Sequence, residues 1–157
     1  PPTQPQLDIS PAFGSLIDLG SGESGDQLDQ AITMMSTGNV DVDLDCSISD
    51  SANGVFTLQP SDPFSMTLSP GADPVDFEVL CALPALAPGT SETFNGELSC
   101  TTNDPNFPGD NTFALLCAGS APPPAIPVPT MGRWGFLVLM LGLLALAGFR
   151  LRAIRGI

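Results

Sequence analysis

Residues 40–48 read Val-Asp-Val-Asp-Leu-Asp-Cys-Ser-Ile, and this stretch decides the fold. Apolar side chains occupy every second position, and Asp41, Asp43 and Asp45 stand between them. Side chains two residues apart share one face of a β-strand, so the stretch predicts a strand with an apolar face and a carboxylate face.

The same alternation continues along residues 7–118, in short apolar runs separated by Gly, Pro, Asn, Asp and Ser. Such runs and their spacing are typical of a β-sandwich. We therefore predict an all-β sandwich over residues 7–119, preceded by an extended segment at residues 1–6. The predicted strands are 7–10, 13–19, 27–36, 40–48, 54–58, 64–68, 75–82, 92–102 and 111–118.

The four cysteines, Cys46, Cys81, Cys100 and Cys117, all fall on the apolar faces of predicted strands. An even number outside any CxxC pair predicts two disulfides formed in an oxidising compartment rather than a zinc site. In a hairpin of 92–102 with 111–118, Cys100 would face Phe113 or Leu115, leaving Cys117 roughly 7–13 Å away. Disulfide-linked Cα atoms are seldom more than about 7 Å apart. Of the three possible connectivities, these distances favour Cys46–Cys100 with Cys81–Cys117 but leave the other two open.

The charge is strongly one-sided, with 17 acidic residues against four basic ones. There is no Lys or His, and the basic residues are Arg133, Arg150, Arg152 and Arg155. A domain without cations excludes nucleic acid as a partner, because phosphates require Lys or Arg. The absence of His argues against most hydrolases and transition-metal enzymes. We expect a non-enzymatic protein without a cofactor, whose acidic surface is simply solvated, suits high salt, or docks a basic partner.

Two acidic segments are candidate Ca²⁺ sites. The aspartates of residues 41–45 alternate along a strand about 6.6–7 Å apart, too far to share one ion without another loop. The loop at 103–111 is richer in oxygen ligands and could bind Ca²⁺, although turn formation alone explains its Asn, Asp, Pro and Gly residues. Phe107 at its tip is either exposed or folded back. Residues 21–25 are glycine-rich but lack the Lys and helix of a phosphate loop.

The end of the chain predicts a membrane anchor. Residues 120–130 form a Pro-rich linker, which we expect to extend by about 3.1 Å per residue. A helix at 131–150 follows, whose uncharged part, 134–149, would span about 24 Å of a hydrocarbon core of roughly 30 Å. Snorkelling arginines at both ends make up the difference. The basic tail at 151–157 places the C-terminus in the cytoplasm and the sandwich outside, by the positive-inside rule, which rests on Arg150, Arg152 and Arg155.

Small residues mark one face of this predicted helix, where other helices could approach closely. The alternative is that Gly and Ala are simply common in bacterial spans. Because the sequence contains the helix, we expect it to be retained and to pack against other integral membrane subunits. The chain begins at Pro1 rather than Met, so we also expect an export segment to precede it. The face comprises Gly135, Gly142, Ala145 and Gly148.

The sequence around residue 130, with the apolar stretch and Arg-rich end that follow, resembles the IPTL-CTERM sorting signal, whose pattern is I-P-T-L-x-x-W-G. Val128 and Met131 replace the Ile and Leu of that pattern. The resemblance implies export in a Gram-negative bacterium and recognition by an exosortase, a membrane-embedded transpeptidase-like enzyme. The matching residues are Val128, Pro129, Thr130, Met131, Trp134 and Gly135.

A second resemblance covers residues 7–119. The elements STGNVDVDLDCSIS (36–49), LAPGT (86–90), GELSCTTNDPNFPGD (96–110) and FALLCAGSA (113–121) resemble the choice-of-anchor D and ASPM–SPD-2–Hydin type of immunoglobulin-like domain. That resemblance implies a seven-stranded sandwich, structural or adhesive, with no catalytic residues.

These observations lead us to expect an accessory subunit in a bacterial cytoplasmic membrane, with an acidic periplasmic domain docked on a larger complex. The alternative is a surface or matrix protein whose helix is a temporary anchor, cleaved near Thr130 by an exosortase. A carboxylate-based enzyme such as a glycosidase is disfavoured, because no carboxylate pair is recognisably placed for it.

Overall fold

The computed structural model of the chain describes residues 4–50 and 52–126, together with the single positions 132, 137 and 141. The chain divides into two units, Pro1–Pro124 and Ala125–Ile157, and the architecture below is that of the first. The predicted helix at 131–150, apart from those single positions, and the basic tail at 151–157 lie outside the described residues. Within the described part, no helix is long and apolar enough to cross a membrane.

The first unit contains nine strands among its described residues, two more than the family resemblance implies. Each predicted strand overlaps an observed one. The strand predicted at 13–19 instead lies at 16–23, because pairing continues through an irregularity between Asp18 and Ser21 rather than ending at Gly20. The strands are β1 Leu7–Ser10, β2 Leu16–Glu23, β3 Gln27–Ser36, β4 Val42–Asp50, β5 Phe56–Gln59, β6 Phe64–Leu68, β7 Val75–Ala82, β8 Ser91–Thr102 and β9 Asn111–Ser120.

The strands form two sheets, one of four strands in the order β1-β3-β7-β5 and one of five in the order β2-β9-β8-β4-β6. Every pairing is antiparallel except β2 with β9, which is parallel. The chain changes sheet at every connection except that between β8 and β9. The first of these changes, between β1 and β2, lies at a cis Ser10–Pro11 bond.

The core lies between the sheets and is built from the predicted alternation. Val42, Leu44 and Cys46 are at most 1% exposed, whereas Asp43 and Asp45 between them are exposed. Burying an aliphatic side chain of this size stabilises the fold by roughly 1.5–3 kcal/mol. The apolar face of β4 therefore fixes its register, since a slip by one residue would bury carboxylates.

Both predicted disulfides are confirmed. Cys46 and Cys100 lie directly opposite each other on neighbouring strands of the five-stranded sheet, with Cα atoms 4.1 Å apart. The Cys81–Cys117 bond joins the two sheets, with Cα atoms 6.7 Å apart.

The β8–β9 hairpin is also confirmed, but its predicted register was wrong. Cys100 pairs with Asn111 rather than with Phe113 or Leu115, and Cys117 lies opposite Phe94. Pairing between the two strands therefore begins at the first residue of β9.

Candidate functional site

Asp43 and Asp45 on β4 accept hydrogen bonds from neighbouring side chains. The Thr67 hydroxyl donates to Asp43 Oδ1 at 2.7 Å, and the Ser65 hydroxyl donates to Asp45. The Asn103 amide donates to Asp43 Oδ2 at 3.4 Å and to the Asp41 carbonyl at 3.3 Å. Hydrogen bonds from hydroxyl groups to carboxylates stabilise the negative charges, so two aspartates can lie two residues apart on an exposed strand face.

The oxygen-rich loop at 103–111 uses its polar groups to hold its own backbone. Asp104 Oδ1 accepts from the backbone N–H of Asn106 at 2.8 Å and from its side-chain amide at 3.0 Å. The Asn111 amide donates to the carbonyls of Phe107 and Gly109 at 3.2 and 3.1 Å. Among the residues that the structure describes, no three His, Cys, Asp or Glu side chains are placed to hold a metal ion together.

Asp104 differs from the other carboxylates of the domain because it is only 2% exposed. Its second oxygen accepts a 2.7 Å hydrogen bond from the backbone N–H of Leu7. Sequence reasoning treated Asp104 as a turn residue, and the Asp-Pro-Asn sequence does form the expected side-chain-to-backbone turn. Its burial depends on β1, 97 residues away, and no local pattern reports such a contact.

Phe107 folds back onto the sandwich, which decides the question that the sequence left open. Its ring centroid lies 5.1 Å from that of Phe13, in an edge-to-face arrangement. Phe13 in turn lies 5.2 Å from the fully buried Phe113. The loop tip is therefore anchored to the core by three aromatic rings.

The glycine-rich segment at 21–25 has a structural role. Its first three residues belong to β2, and the Ser24 hydroxyl joins it to the loop after β7. That hydroxyl accepts from the Leu86 N–H at 2.8 Å and donates to the Pro84 carbonyl at 3.1 Å.

One group of carboxylates without a hydrogen-bond partner lies on the outer side of the four-stranded sheet. Asp29 on β3 and Asp76 and Glu78 on β7 are exposed and make no hydrogen bond within the described part of the chain. Asp29 faces Leu80 and has no donor opposite it. Gln59 on β5 faces Glu78, and Thr33 on β3 faces Asp76, but neither side chain donates a hydrogen bond to the carboxylate. We call these residues, together with Asp8 on β1, the carboxylate face.

The carboxylate face was missed by sequence reasoning, which identified only the aspartates of β4. Alternation shows that a side chain points outward but not which hydroxyls stand beside it. Since residues 4–126 contain no Lys, Arg or His, a partner must supply any cation that approaches this face. It is the candidate interaction surface of the domain.

The C-terminal candidates cannot be placed on the fold. The sorting-motif residues, the small-residue face of the predicted helix and the topology-determining arginines all lie outside the described residues. They are Val128, Pro129, Thr130, Met131, Trp134 and Gly135; Gly142, Ala145 and Gly148; and Arg150, Arg152 and Arg155.

No family model matches the chain, and no curated protein matches it. Among solved structures, a family 123 glycoside hydrolase from Clostridium perfringens is similar over 74% of this chain at 13% identity, with a TM-score of 0.53. This chain covers 28% of that hydrolase. At such identity the likeness shows the fold alone.

Two other similar structures are a human and a bacterial domain. The ASH, PapD-like domain of human CEP192 is 14% identical, with 78% of this chain and 89% of that one covered and a TM-score of 0.47. The CupB6 tip adhesin of Pseudomonas aeruginosa is 10% identical, with 76% and 44% covered and a TM-score of 0.45. By its own two sheets, the described domain is an all-β sandwich.

Proposed function

We propose that this protein is a non-enzymatic accessory subunit of a larger bacterial membrane complex. Its C-terminal helix packs among other membrane helices in the cytoplasmic membrane. Its acidic immunoglobulin-like domain docks on the periplasmic side of that complex.

The observation that carries the proposal is the partition of charge along the chain. All 17 carboxylates precede residue 111, and all four arginines follow residue 132, flanking the uncharged stretch at 134–149. A chain of this design is oriented by its basic end, which favours the cytoplasm. The acidic domain is then kept from anionic lipid headgroups and is attracted to a cationic protein surface.

The carboxylate face supports docking better than the aspartates of β4 do. Its carboxylates have no partner in the free domain, so a cationic partner displaces only water from them. Charge complementarity of this kind mainly increases the association rate and the selectivity of binding. It weakens as salt rises, because the Debye length falls from about 10 Å at 0.1 M to about 3 Å at 1 M.

The lack of His and Tyr supports a non-enzymatic role. A general base near neutral pH would have to be a carboxylate with a strongly altered environment. Asp104 is the one buried carboxylate of the described domain. Both of its oxygens already accept hydrogen bonds from backbone and amide N–H groups.

The proposal is tested by purifying the full chain from native membranes in mild detergent. We expect integral membrane subunits to co-purify in fixed stoichiometry. Neutralising the carboxylate face with Asp29→Asn, Asp76→Asn and Glu78→Gln should weaken their retention in low salt. Recovery of the chain only as a free monomer would contradict the proposal.

A matched control removes the same charge elsewhere. Asp41→Asn, Asp73→Asn and Asp110→Asn change three exposed carboxylates whose side chains make no hydrogen bond in the described domain. This triple variant should retain the partner. Equal loss in both variants would mean that net charge matters but the carboxylate face does not.

The second candidate function is that of an exosortase-sorted surface or matrix protein, favoured by the sequence from Val128 to Gly135 that resembles the IPTL-CTERM signal. Here the helix is a temporary anchor and the domain is released. The intact mass of the protein isolated from its native host separates the two functions. A mass lacking everything after about Thr130 favours sorting, and a mass including the helix favours the subunit.

A further inference from the structure

The chain enters and leaves the sandwich at opposite ends. It enters beside the β8–β9 loop, where Leu7 is bonded to Asp104 at the start of β1. It leaves where β9 ends at Ser120, beside the turn that joins β2 to β3. Tension applied along the chain would therefore run nearly parallel to the strands.

Tension on the N-terminal side reaches the short β1 first and then β2. β2 is parallel to β9, the strand that takes the tension on the C-terminal side. β2 pairs with β9 from Leu16 opposite Ala114 to Glu23 opposite Ser120. Backbone bonds extend this ladder at both ends, from Gly14 N to the Thr112 carbonyl and from Ser24 N to the Ser120 carbonyl, each 2.8 Å long.

Parallel strands pulled from opposite ends are loaded in shear. Every hydrogen bond between them resists at the same time, because the two strands can part only by sliding. If the same strands were pulled from one end, the bonds would break one after another. The direction of the force, and not the number of bonds alone, then sets the unfolding barrier.

The disulfides make the C-terminal side of this pair covalent. Cys117 lies three residues before the end of β9 and is bonded to Cys81 in the other sheet. Cys46 and Cys100 close the segment between them. Under tension, the segment between Cys46 and Cys100 cannot add to the extension while their bond is intact, so the chain can lengthen only through the residues outside that segment.

We propose that the domain is a tension-bearing module in which the β2–β9 pair is a shear clamp backed by the Cys81–Cys117 bond. This function goes beyond docking and does not depend on what the domain docks to. It requires only that the chain be pulled through its entry and its exit.

The test is single-molecule force spectroscopy on the oxidised full chain, with paired handles at chosen positions. Handles at Gln4 and Ala125 load the β2–β9 pair in shear. Handles at Glu23 and Ala125 pull the same two strands from one end, because Glu23 faces Ser120 across the pair. Glu23 is exposed, so a handle on its side chain leaves the ladder intact.

At equal force, we expect unfolding in shear to be slower by about tenfold or more, since each extra bond broken in the transition state contributes a factor of about five to ten. Equal rates in the two directions would overturn the clamp. If the Glu23 variant fails to fold, handles at Ser21 and Ala125 supply a second one-ended geometry for the same strands, because the exposed Ser21 faces Ala118 near the same end of the pair.

The disulfide part of the proposal has its own readout. Cys46 and Cys100 are 54 residues apart in sequence, which corresponds to about 190 Å of extended chain at roughly 3.5 Å per residue. Unfolding in shear should therefore lengthen the molecule by that much more after reduction than before it. The same extension with and without reductant would show that the bonds do not limit unravelling.

Discussion

The backbone N–H of Leu7 donates a 2.7 Å hydrogen bond to the carboxylate of Asp104, which lies 97 residues further along the chain and is only 2% exposed. This bond joins the first strand of the four-stranded sheet to the loop between the last two strands of the other sheet. The entry of the chain is thus held by the same loop that Phe107 anchors to the core.

Asp104→Ala should destabilise the domain more than any other substitution in this loop. It leaves the N–H of the buried Leu7 without an acceptor, at a cost of about 1–3 kcal/mol. It also removes the hydrogen bonds that hold the turn at the exposed Asn106. Chemical denaturation followed by fluorescence or circular dichroism measures the change in unfolding free energy. Asp110→Ala, in the same loop but exposed and without a side-chain bond, is the control and should change it by less than about 0.5 kcal/mol. Equal effects of the two substitutions would refute the role assigned to Asp104.

Each disulfide should stabilise the domain by a similar amount. The closed segments have sequence separations of 54 and 36 residues, and chain entropy gives about 4 kcal/mol for each because the dependence on length is logarithmic. We expect the paired substitutions Cys46→Ala with Cys100→Ala, and Cys81→Ala with Cys117→Ala, to lower the unfolding free energy comparably. Denaturation of the oxidised full chain and of both variants tests this. Unchanged unfolding in reductant would show that the bridges do not stabilise the fold.

Gly96 permits the close packing of β8 against Phe56. A Cβ atom at this position would lie 2.5 Å from Phe56 Cδ2 and 2.7 Å from the Asp50 carbonyl oxygen. Gly96→Ala must therefore displace a fully buried ring or the backbone of β4, and we expect it to destabilise the domain by about 1–3 kcal/mol. Thr101→Ala, at an exposed position of the same strand, is the control. A Gly96→Ala protein as stable as the wild type would mean that this contact relaxes freely.

The sequence predicted the strands and their buried faces, because alternating apolar and polar residues indicate both. The alternation around Cys46 identifies a strand and its buried face, and four cysteines on buried faces restrict the disulfides. The same alternation cannot say which sheet a strand joins. The sheet change at Pro11 and the Asn111 partner of Cys100 are set by contacts distant in sequence, and both were therefore missed.

The candidate site was less predictable for a related reason. The sequence marked Asp43 and Asp45 as an acidic face, but Thr67 and Ser65 on β6 satisfy them. Asp29 and Glu78 accept no hydrogen bond within the described domain, although Gln59 stands opposite Glu78 on β5. Which carboxylates are bonded therefore depends on the neighbours and side-chain conformations of the assembled sheet, and the alternation within one strand reports neither.

Removal of the residues after Thr130 should release an intact domain. The core, both disulfides and every strand of the described sandwich lie before residue 121. The shortened chain should therefore unfold with the same midpoint as the domain in the full chain. The full chain should stay in the membrane pellet after alkaline carbonate extraction, because a stretch such as 134–149 partitions into hydrocarbon. The shortened chain should appear in the supernatant.

A control variant with Leu141→Arg and Leu144→Arg in the full chain should also become extractable, since charges at mid-span cost about 2.5–3.5 kcal/mol each. Full chain recovered in the aqueous fraction with its C-terminus intact would remove the basis for the membrane-anchored subunit. The predicted stability of the sandwich would be unaffected by that result.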